Sequence, residues 1–293
     1  MTILTTVIGS YPVEGLAPEA ALRRAVADQL AAGVDLISDG QVRGDMITRF
    51  TASIAGYELS SGRSVIFQKL GKFPEPITLA DTLLARDLAG GRAEVKAVLT
   101  GPTTLALASA VQPGAHYQGN DDPDLVHTLA DIIANEAAAL VEAGVRVVQV
   151  DEPAFSTGRA DIDLGIRCVN RIAMETPLAV LHVCGDVRPV FDALLRADVA
   201  VLAIEGTREE RLPSLDRRTL AAAGKKLCLG CVDSASERVE SVDEVRLRME
   251  RFAERVGAEG LWVAPDCGLR LLSREAALGK LTALVQGARA LAG

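Results

Sequence analysis

The sequence has few aromatic residues, few histidines and no long hydrophobic run. Phe, Trp and Tyr make up only 3% of its 293 residues, and three residues are histidine. No apolar stretch approaches the roughly 18 residues of a membrane span, and the N-terminal segment lacks the basic region of a secretory signal peptide. We therefore expect a cytoplasmic protein with no membrane partner.

Positive charge is scarce as well. The chain has 31 Lys and Arg against 39 Asp and Glu, a net charge of −8 at pH 7, and the basic residues are dispersed among acids. Because nucleic-acid-binding proteins usually concentrate basic residues in a patch, we expect a small ligand and no nucleic-acid partner. Five cysteines without an export signal argue against a disulfide framework and leave core packing, catalysis or metal binding.

Eight short apolar runs alternate with longer amphipathic segments, which is the pattern of βαβ units around a parallel sheet. The runs lie at residues 5–10, 34–40, 96–102, 145–153, 178–186, 199–206, 226–233 and 261–268. Helices are predicted at residues 18–32, 123–143, 161–176, 188–196, 217–223, 242–256 and 273–291. The expected fold is therefore α/β, a single (β/α)8 TIM barrel.

This barrel is expected to form one catalytic domain over residues 1–293. Residues 41–94, after the second strand, are too many for a simple βα connection. They predict an insertion of loops, short strands and a helix over one face of the barrel. A doubly wound sheet with an added lobe is the alternative fold.

Polar residues close most of the apolar runs, and in a parallel barrel the active site lies at these strand ends. They are Ser10, Asp39, Thr103, Thr104, Asp151, Glu152, His182, Cys184, Asp186, Glu205, Asp233, Asp266 and Cys267. Among them, Asp39, Thr103, Asp151 and Glu152 are predicted to contact substrate. Asp151 and Asp266 are the candidate catalytic acids. A pair of acids that caps a helix is the alternative for Asp151 and Glu152.

His182 and Cys184 stand two residues apart in the fifth run. A strand has a side-chain period of two, so both project from one side, about 6 to 7 Å apart, within reach of one metal ion. Glu205 and Cys267 end two other runs on the same rim. Two thiolates, an imidazole and a carboxylate suit tetrahedral Zn²⁺. The resulting net charge of −1 keeps a bound substrate thiolate nucleophilic, which favours alkyl transfer to sulfur.

If His182 and Cys184 are considered without Glu205 and Cys267, the alternative is a structural role, with a histidine packed beside a buried thiol. Cys168 and Cys228 are predicted to be core residues. The spacing of Cys228 and Cys231 resembles a metal knuckle, but residues i and i+3 of a strand face opposite sides, so the role of Cys231 stays open.

The motifs IGSYP, GPTTL, VDEPA, HVCGD, EG and PDCGLR follow in this order along nearly the whole chain. With them the sequence resembles the C-terminal catalytic barrel of cobalamin-independent methionine synthase, in a short single-barrel branch. The resemblance implies zinc ligation by His182, Cys184, Glu205 and Cys267. It also implies that Ile8, Gly9 and Ser10 hold homocysteine or methionine and that Asp151 binds the ammonium group. The implied reaction is methyl transfer to the zinc-bound thiolate of homocysteine, giving methionine.

Two departures from that family concern the methyl donor. The sequence spans one barrel where the full-length family has two, and Ala235 stands where the family has a histidine that protonates the departing folate. Tetrahydrofolate N5 is a poor leaving group without that proton, whereas a methylcorrinoid releases cob(I)alamin without one. We therefore expect methylcobalamin or a methylated corrinoid protein as donor. The family's homocysteine-binding glutamate has no obvious counterpart, and Asp39 or Asp45 is expected to replace it.

Three alternatives stay open at this point. One is methylation of another thiol, such as coenzyme M, on a related barrel. Asp151 argues against it, because a carboxylate that binds an ammonium group would repel the negatively charged sulfonate of coenzyme M. The second is methyltetrahydrofolate as donor. The third is a barrel whose zinc is structural, in a closed site that does not change when thiols are added.

Overall fold

The computed structural model describes residues 3–73 and 75–292. Its strands are β1 (Leu4–Thr5), β2 (Leu36–Ile37), β3 (Tyr57–Ser60), β4 (Arg63–Ile66), β5 (Glu94–Thr100), β6 (Ala110–Val111), β7 (Val147–Asp151), β8 (Leu178–Val183), β9 (Val201–Ile204), β10 (Lys226–Val232) and β11 (Leu261–Pro265). Eight of them form a parallel sheet in the order β1-β11-β10-β9-β8-β7-β5-β2. A bridge between Thr6 and Leu36 joins its two edges. The predicted TIM barrel is confirmed, and each predicted run overlaps one barrel strand.

The helices pack around this ring. They are α1 (Pro18–Ala32), α2 (Thr48–Thr51), α3 (Leu79–Ala89), α4 (Pro102–Ala108), α5 (Pro123–Glu142), α6 (Ile162–Ala173), α7 (Phe191–Leu194), α8 (Arg217–Ala222), α9 (Val242–Val256) and α10 (Arg274–Ala292). The bounds of α1 and α9 match the prediction to the residue, because Gly33 ends α1 in the left-handed conformation and a Ser241–Glu244 capping box starts α9. The predicted helix at 188–196 shrinks to α7, and α4 was not predicted.

The insertion after β2 contains α2, a hairpin and α3, where the sequence predicts short strands and a single helix. Strands β3 and β4 pair in antiparallel fashion around Ser61 and Gly62, both with positive φ, as a two-residue hairpin turn requires. Strand β4 also pairs with β6, which gives a separate three-stranded sheet. Arg49 of α2 contacts Asp39 at 3.0 Å, which fastens the insertion to the end of β2, and it contacts Asp81 of α3 at 2.8 Å, which joins the two helices of the insertion.

Apolar side chains fill both faces of the barrel wall. The outer faces of the strands pack against the helices in two large clusters. The interior holds a smaller cluster that includes Val147, Val180 and Trp262. Two polar side chains, Lys96 and Gln149, are buried with them.

No helix in the described ranges is both long enough and apolar enough to cross a membrane.

The closure of the barrel generates the first prediction. The Asp35 carboxylate accepts hydrogen bonds from the backbone N–H and the hydroxyl of Thr5, at 2.8 and 2.7 Å, where β1 meets β2. Asp35→Ala leaves the buried Thr5 donors without this partner, and we expect the free energy of unfolding to fall by about 1–2 kcal/mol. Urea denaturation followed by circular dichroism measures this loss.

Asp87→Ala provides the control, because Asp87 is an exposed acid on α3. It should change stability by less than about 0.5 kcal/mol. Equal stabilities of the two variants would show that the Asp35 contacts do not hold the closure.

Candidate metal centre and substrate pocket

A cavity of about 340 Å³ opens at the C-terminal ends of the barrel strands. Its lining residues are Ile8, Ser10, Gln41, Asp45, Met46, Asp151, Pro153, His182, Cys184, Cys267, Gly268, Arg270 and Leu271. They come from the ends of β1, β7, β8 and β11 and from the start of the insertion. The cavity therefore lies at the rim where the sequence predicts the active site.

Three potential metal ligands meet in this cavity. One ligand atom each from His182, Cys184 and Cys267 lies within 4.8 Å of the other two. His182 is only 2% exposed; its Nδ1 lies 3.2 Å from the carbonyl oxygen of Ala203, and its Nε2 has no hydrogen-bond partner among the residues that the structure describes. A buried ring nitrogen is rarely left without a partner, and Nδ1 bonded to a carbonyl is the usual arrangement of a histidine that binds metal through Nε2. The cluster fits a metal ion of the zinc type.

Glu205, the fourth ligand implied by the resemblance, lies next to this cluster but not within it. Its Oε1 accepts a hydrogen bond from the backbone N–H of Gly185 at 2.7 Å, and its Oε2 lies 3.7 Å from Arg211. The group of mutually close ligand atoms among the described residues does not include its carboxylate. Ligation by Glu205 stays a prediction.

The pKa values of the two thiols in the cluster are shifted in opposite directions. The Cys184 thiol, together with His182, lowers the pKa of Cys267, although burial opposes the shift. The same contact with Cys267, together with burial, raises the pKa of Cys184. Because a metal ion binds the thiolate form, metal binding at this cluster would release thiol protons and would depend on pH.

Asp151 and the segment after β1 face the same cavity. Asp151 ends β7 and pairs in register with His182. Its Oδ1 accepts a hydrogen bond from Gln149 at 2.6 Å, and burial raises the pKa of Asp151 to about 6. Ile8 and Ser10 line the cavity wall. The structure thus brings together the metal cluster and three of the predicted substrate contacts.

Two glycines allow the rim loops to approach closely. A Cβ at Gly9 would lie 2.5 Å from Oε1 of Gln41, and one at Gly268 would lie 2.1 Å from Oγ of Ser10. Gly9 itself does not line the cavity. Its role in the structure is to leave room for the side chain of Gln41, which lines the cavity.

Thr103 and Glu152 are buried outside the cavity lining. The carboxylate of Glu152 accepts hydrogen bonds from the backbone N–H groups of Thr103 and Thr104 and from the hydroxyl of Thr104, at 2.6–2.9 Å. Glu152 therefore caps the N-terminus of α4, which is the alternative given for it by the sequence. Its predicted contact with substrate has no support in this geometry.

Asp39 and Asp266 are also occupied by contacts within the protein. Asp39 bonds the backbone N–H of Gln41 and the guanidinium of Arg49, and it does not line the cavity. Asp266 accepts hydrogen bonds from Gly206 and Thr207, and this fixes the turn that follows Glu205. Direct roles in substrate binding for Asp39 and in catalysis for Asp266 stay predictions that these contacts do not favour.

Several cavity residues were not predicted from the sequence. Gln41 has a φ of 45°, rare for a residue other than glycine, and its carbonyl accepts a hydrogen bond from Arg270. Met46, Pro153, Arg270 and Leu271 complete the lining, and Leu271 is 91% exposed. Arg270 is the last residue of the PDCGLR motif and Leu271 follows it, so their position at that motif was the available signal.

Comparison with known proteins agrees with this geometry. A family model described as the catalytic domain of cobalamin-independent synthase matches residues 16–290. The methionine synthase of Methanothermobacter thermautotrophicus is 38% identical over 310 aligned positions, which cover 98% of this chain and 99% of that protein. The methionine synthase of Methanocaldococcus jannaschii is 34% identical with the same coverage.

One solved structure shows the same fold. A B12-independent methionine synthase from Shewanella sp. W3-18-1, in complex with selenomethionine, superposes with a TM-score of 0.86 at 24% identity. The match covers 100% of this chain and 98% of that chain. The barrel architecture is therefore shared along the full length of both proteins.

The cap on α4 generates the second prediction. Glu152→Gln replaces one acceptor oxygen by an amide that faces N–H donors, so we expect the free energy of unfolding to fall by about 1–3 kcal/mol. The KM for substrate should stay within about twofold, because the residue is outside the cavity. Chemical denaturation and steady-state kinetics measure the two effects.

Glu142→Gln makes the same exchange at an exposed position of α5 and should change neither quantity. A large rise in KM for Glu152→Gln at unchanged stability would instead support the sequence-based assignment of Glu152 to the substrate.

Proposed function

The chain belongs to the family of cobalamin-independent methionine synthases and is a methyltransferase of that type, and on this premise we propose that it methylates the sulfur of L-homocysteine to form methionine. One observation carries the proposal. The ligand atoms of His182, Cys184 and Cys267 converge on a cavity that is also lined by the buried acid Asp151. A soft-ligand cluster beside an acid suits a substrate that has a thiol and an ammonium group.

We propose Zn²⁺ as the metal, held by His182, Cys184 and Cys267 with Glu205 as the fourth ligand. When bound, zinc would supply a Lewis acid that lowers the pKa of the substrate thiol while leaving the sulfur nucleophilic. The protein prepares this site through the Ala203 carbonyl, which orients the imidazole, and through Gly185 and Arg211, which hold the Glu205 carboxylate beside Cys184.

The amino acid is bound by groups around the metal cluster. Asp151 receives the ammonium, and Ile8 with Ser10 forms the adjoining wall of the site. Asp45 suits the role of a second acid better than Asp39, because it lines the cavity, whereas Asp39 is paired with Arg49. Although burial opposes it, hydrogen bonds from Thr48 lower the pKa of Asp45, so this acid is ionised at neutral pH.

The methyl donor is proposed to be methylcobalamin or a methylated corrinoid protein. The substrate sulfur attacks the methyl carbon, and the electron pair of the broken bond stays on the donor. Ala235 cannot protonate a leaving folate, and the two histidines outside the cluster lie elsewhere: His116 packs against Tyr117, and His127 lies 3.7 Å from Cys168. The description of the family as cobalamin-independent gives this donor no support, so methyltetrahydrofolate is the alternative.

An assay with homocysteine and each donor tests the activity. We expect methionine with methylcobalamin, little with methyltetrahydrofolate, and little methylation of coenzyme M, which has a sulfonate in place of the ammonium. Asp151→Asn should raise the KM for homocysteine by about 10- to 100-fold, because it removes the charge that faces the ammonium. Mass spectrometry of the product measures each rate.

Two outcomes would contradict these proposals separately. Methionine formed only with the folate would overturn the donor. A protein loaded with zinc that forms no methionine with either donor, and whose zinc X-ray absorption spectrum is unchanged by homocysteine, would favour a structural metal site.

Metal analysis tests the ligand assignment. We expect about one zinc per chain in the purified protein, and a loss of most of it in Cys184→Ser and in Cys267→Ser, because each removes a thiolate ligand. Glu205→Gln should weaken zinc binding less. Cys231→Ser is the matched control, since Cys231 is buried outside the cavity and should not affect zinc content. Loss of zinc in Cys231→Ser alone would favour the knuckle.

A further inference from the structure

Two polar side chains lie beneath the substrate cavity without a role in the proposed chemistry. Lys96 of β5 is 2% exposed and Gln149 of β7 is fully buried. Both lie on the inner face of the barrel, since their strand neighbours Ala97 and Val148 belong to the outer apolar core. Burying an ammonium and an amide costs free energy unless hydrogen bonds compensate, so their contacts indicate what they do.

These two side chains form a chain of hydrogen bonds that leads to the cavity. Lys96 Nζ donates to the carbonyl of Val7 and to Oε1 of Gln149. Nε2 of Gln149 donates to the carbonyl of Ile8 at 2.9 Å and to Oδ1 of Asp151 at 2.6 Å. Gln149 therefore binds both walls of the amino-acid site, the segment after β1 and the acid that ends β7.

Lys96 determines which way the Gln149 amide points. An ammonium group donates hydrogen bonds and accepts none, so Oε1 must face it. The two amide hydrogens then face the Ile8 carbonyl and the Asp151 carboxylate, both of which only accept. If the amide were flipped, its NH₂ group would face the Lys96 ammonium, and its oxygen would face the Ile8 carbonyl and the Asp151 carboxylate. The hydrogen bonds to all three groups would then be lost.

The hydrogen-bond partners of the Lys96 ammonium among the described residues are a backbone carbonyl and an amide oxygen, and neither is a carboxylate. Burial lowers the pKa of Lys96 to about 8, although Cys228 and Asp151 oppose this shift. A buried cation without an ion-pair partner is a poor stabiliser of the fold. Its place at the start of a hydrogen-bond chain that ends on Asp151 accounts for its presence.

We propose that Lys96 and Gln149 are positioning residues that fix Asp151 and the Ile8–Ser10 segment at one spacing, so that the site selects a substrate with an ammonium group. Gln149 holds both walls, and Lys96 holds Gln149 in the required orientation. The inference rests on the proposed function for the role of Asp151 as the ammonium partner.

Calorimetric binding to the zinc-loaded protein tests this arrangement without a methyl donor. The two ligands are L-methionine and 3-(methylthio)propionate, which lacks the ammonium. We expect Gln149→Leu and Gln149→Glu to lower the preference for methionine by about tenfold or more, the effect of losing one hydrogen bond to a charged group. Gln149→Glu keeps an acceptor for Lys96, so it should fold even if Gln149→Leu does not.

A double-mutant cycle separates the role of Lys96 from general destabilisation. Lys96→Met should lower the same preference in the wild-type background and have no further effect in Gln149→Leu, because it acts through the amide. Glu136→Gln is the matched control. This variant replaces a buried carboxylate of α5, which accepts hydrogen bonds from the backbone N–H groups of Ile77 and Thr78, by an amide. It should leave the preference for methionine over 3-(methylthio)propionate unchanged.

Three outcomes would overturn the inference in different ways. Unchanged preference in both Gln149 variants would show that the amide does not position the site. Additive losses from Lys96→Met and Gln149→Leu would show that Lys96 does not act through Gln149. A wild-type protein that binds neither methionine nor homocysteine would overturn the proposed function and this inference together.

Discussion

The register between β7 and β8 is the constraint on which the site depends. Backbone pairing places Asp151 beside His182 at the C-terminal ends of these strands. Side chains alternate between the two faces of a strand, so a slip of one residue between these strands would turn one of the two groups out of the barrel. The closed ring leaves no free edge along which such a slip could occur. The distances among the metal ligands and the buried acid are therefore set by backbone hydrogen bonds.

Each group at the rim is held in turn by a polar contact behind it. The Ala203 carbonyl orients His182, Gln149 holds Asp151, and Asp266 fixes the turn after Glu205. Glu152 caps α4 and keeps the loop after β5 in place. Among the rim acids, only those that face the cavity are free for substrate, and the others supply the frame that keeps them there. This division explains why a rim rich in acids offers so few substrate contacts.

Much of the fold was predictable because its signals are local. Alternating apolar runs and amphipathic segments gave the eight strands and most of the helices, and Pro18, Gly33 and Ser241 marked helix ends by their backbone preferences. Helix α4 was missed because it is short and its N-terminal cap, Glu152, lies just after β7, 49 residues later in the chain than Thr103, whose N–H it accepts. A cap supplied from such a distance leaves no pattern in the neighbouring sequence.

The barrel and the placement of His182 and Cys184 on one side of a strand could be deduced from the sequence alone, because both follow from periodicities of a few residues. Side chains alternate between the two faces along β7, so Asp151 and Glu152 point to opposite faces of the sheet. This alternation could have been used to predict that only one of them faces the cavity. The three-dimensional packing was needed to show that Arg49 binds Asp39, that Glu205 lies beside the metal cluster, and that Lys96 reaches Asp151 through Gln149. These outcomes depend on which side chains meet across closed strands and an insertion, and that depends on the packing of the whole chain.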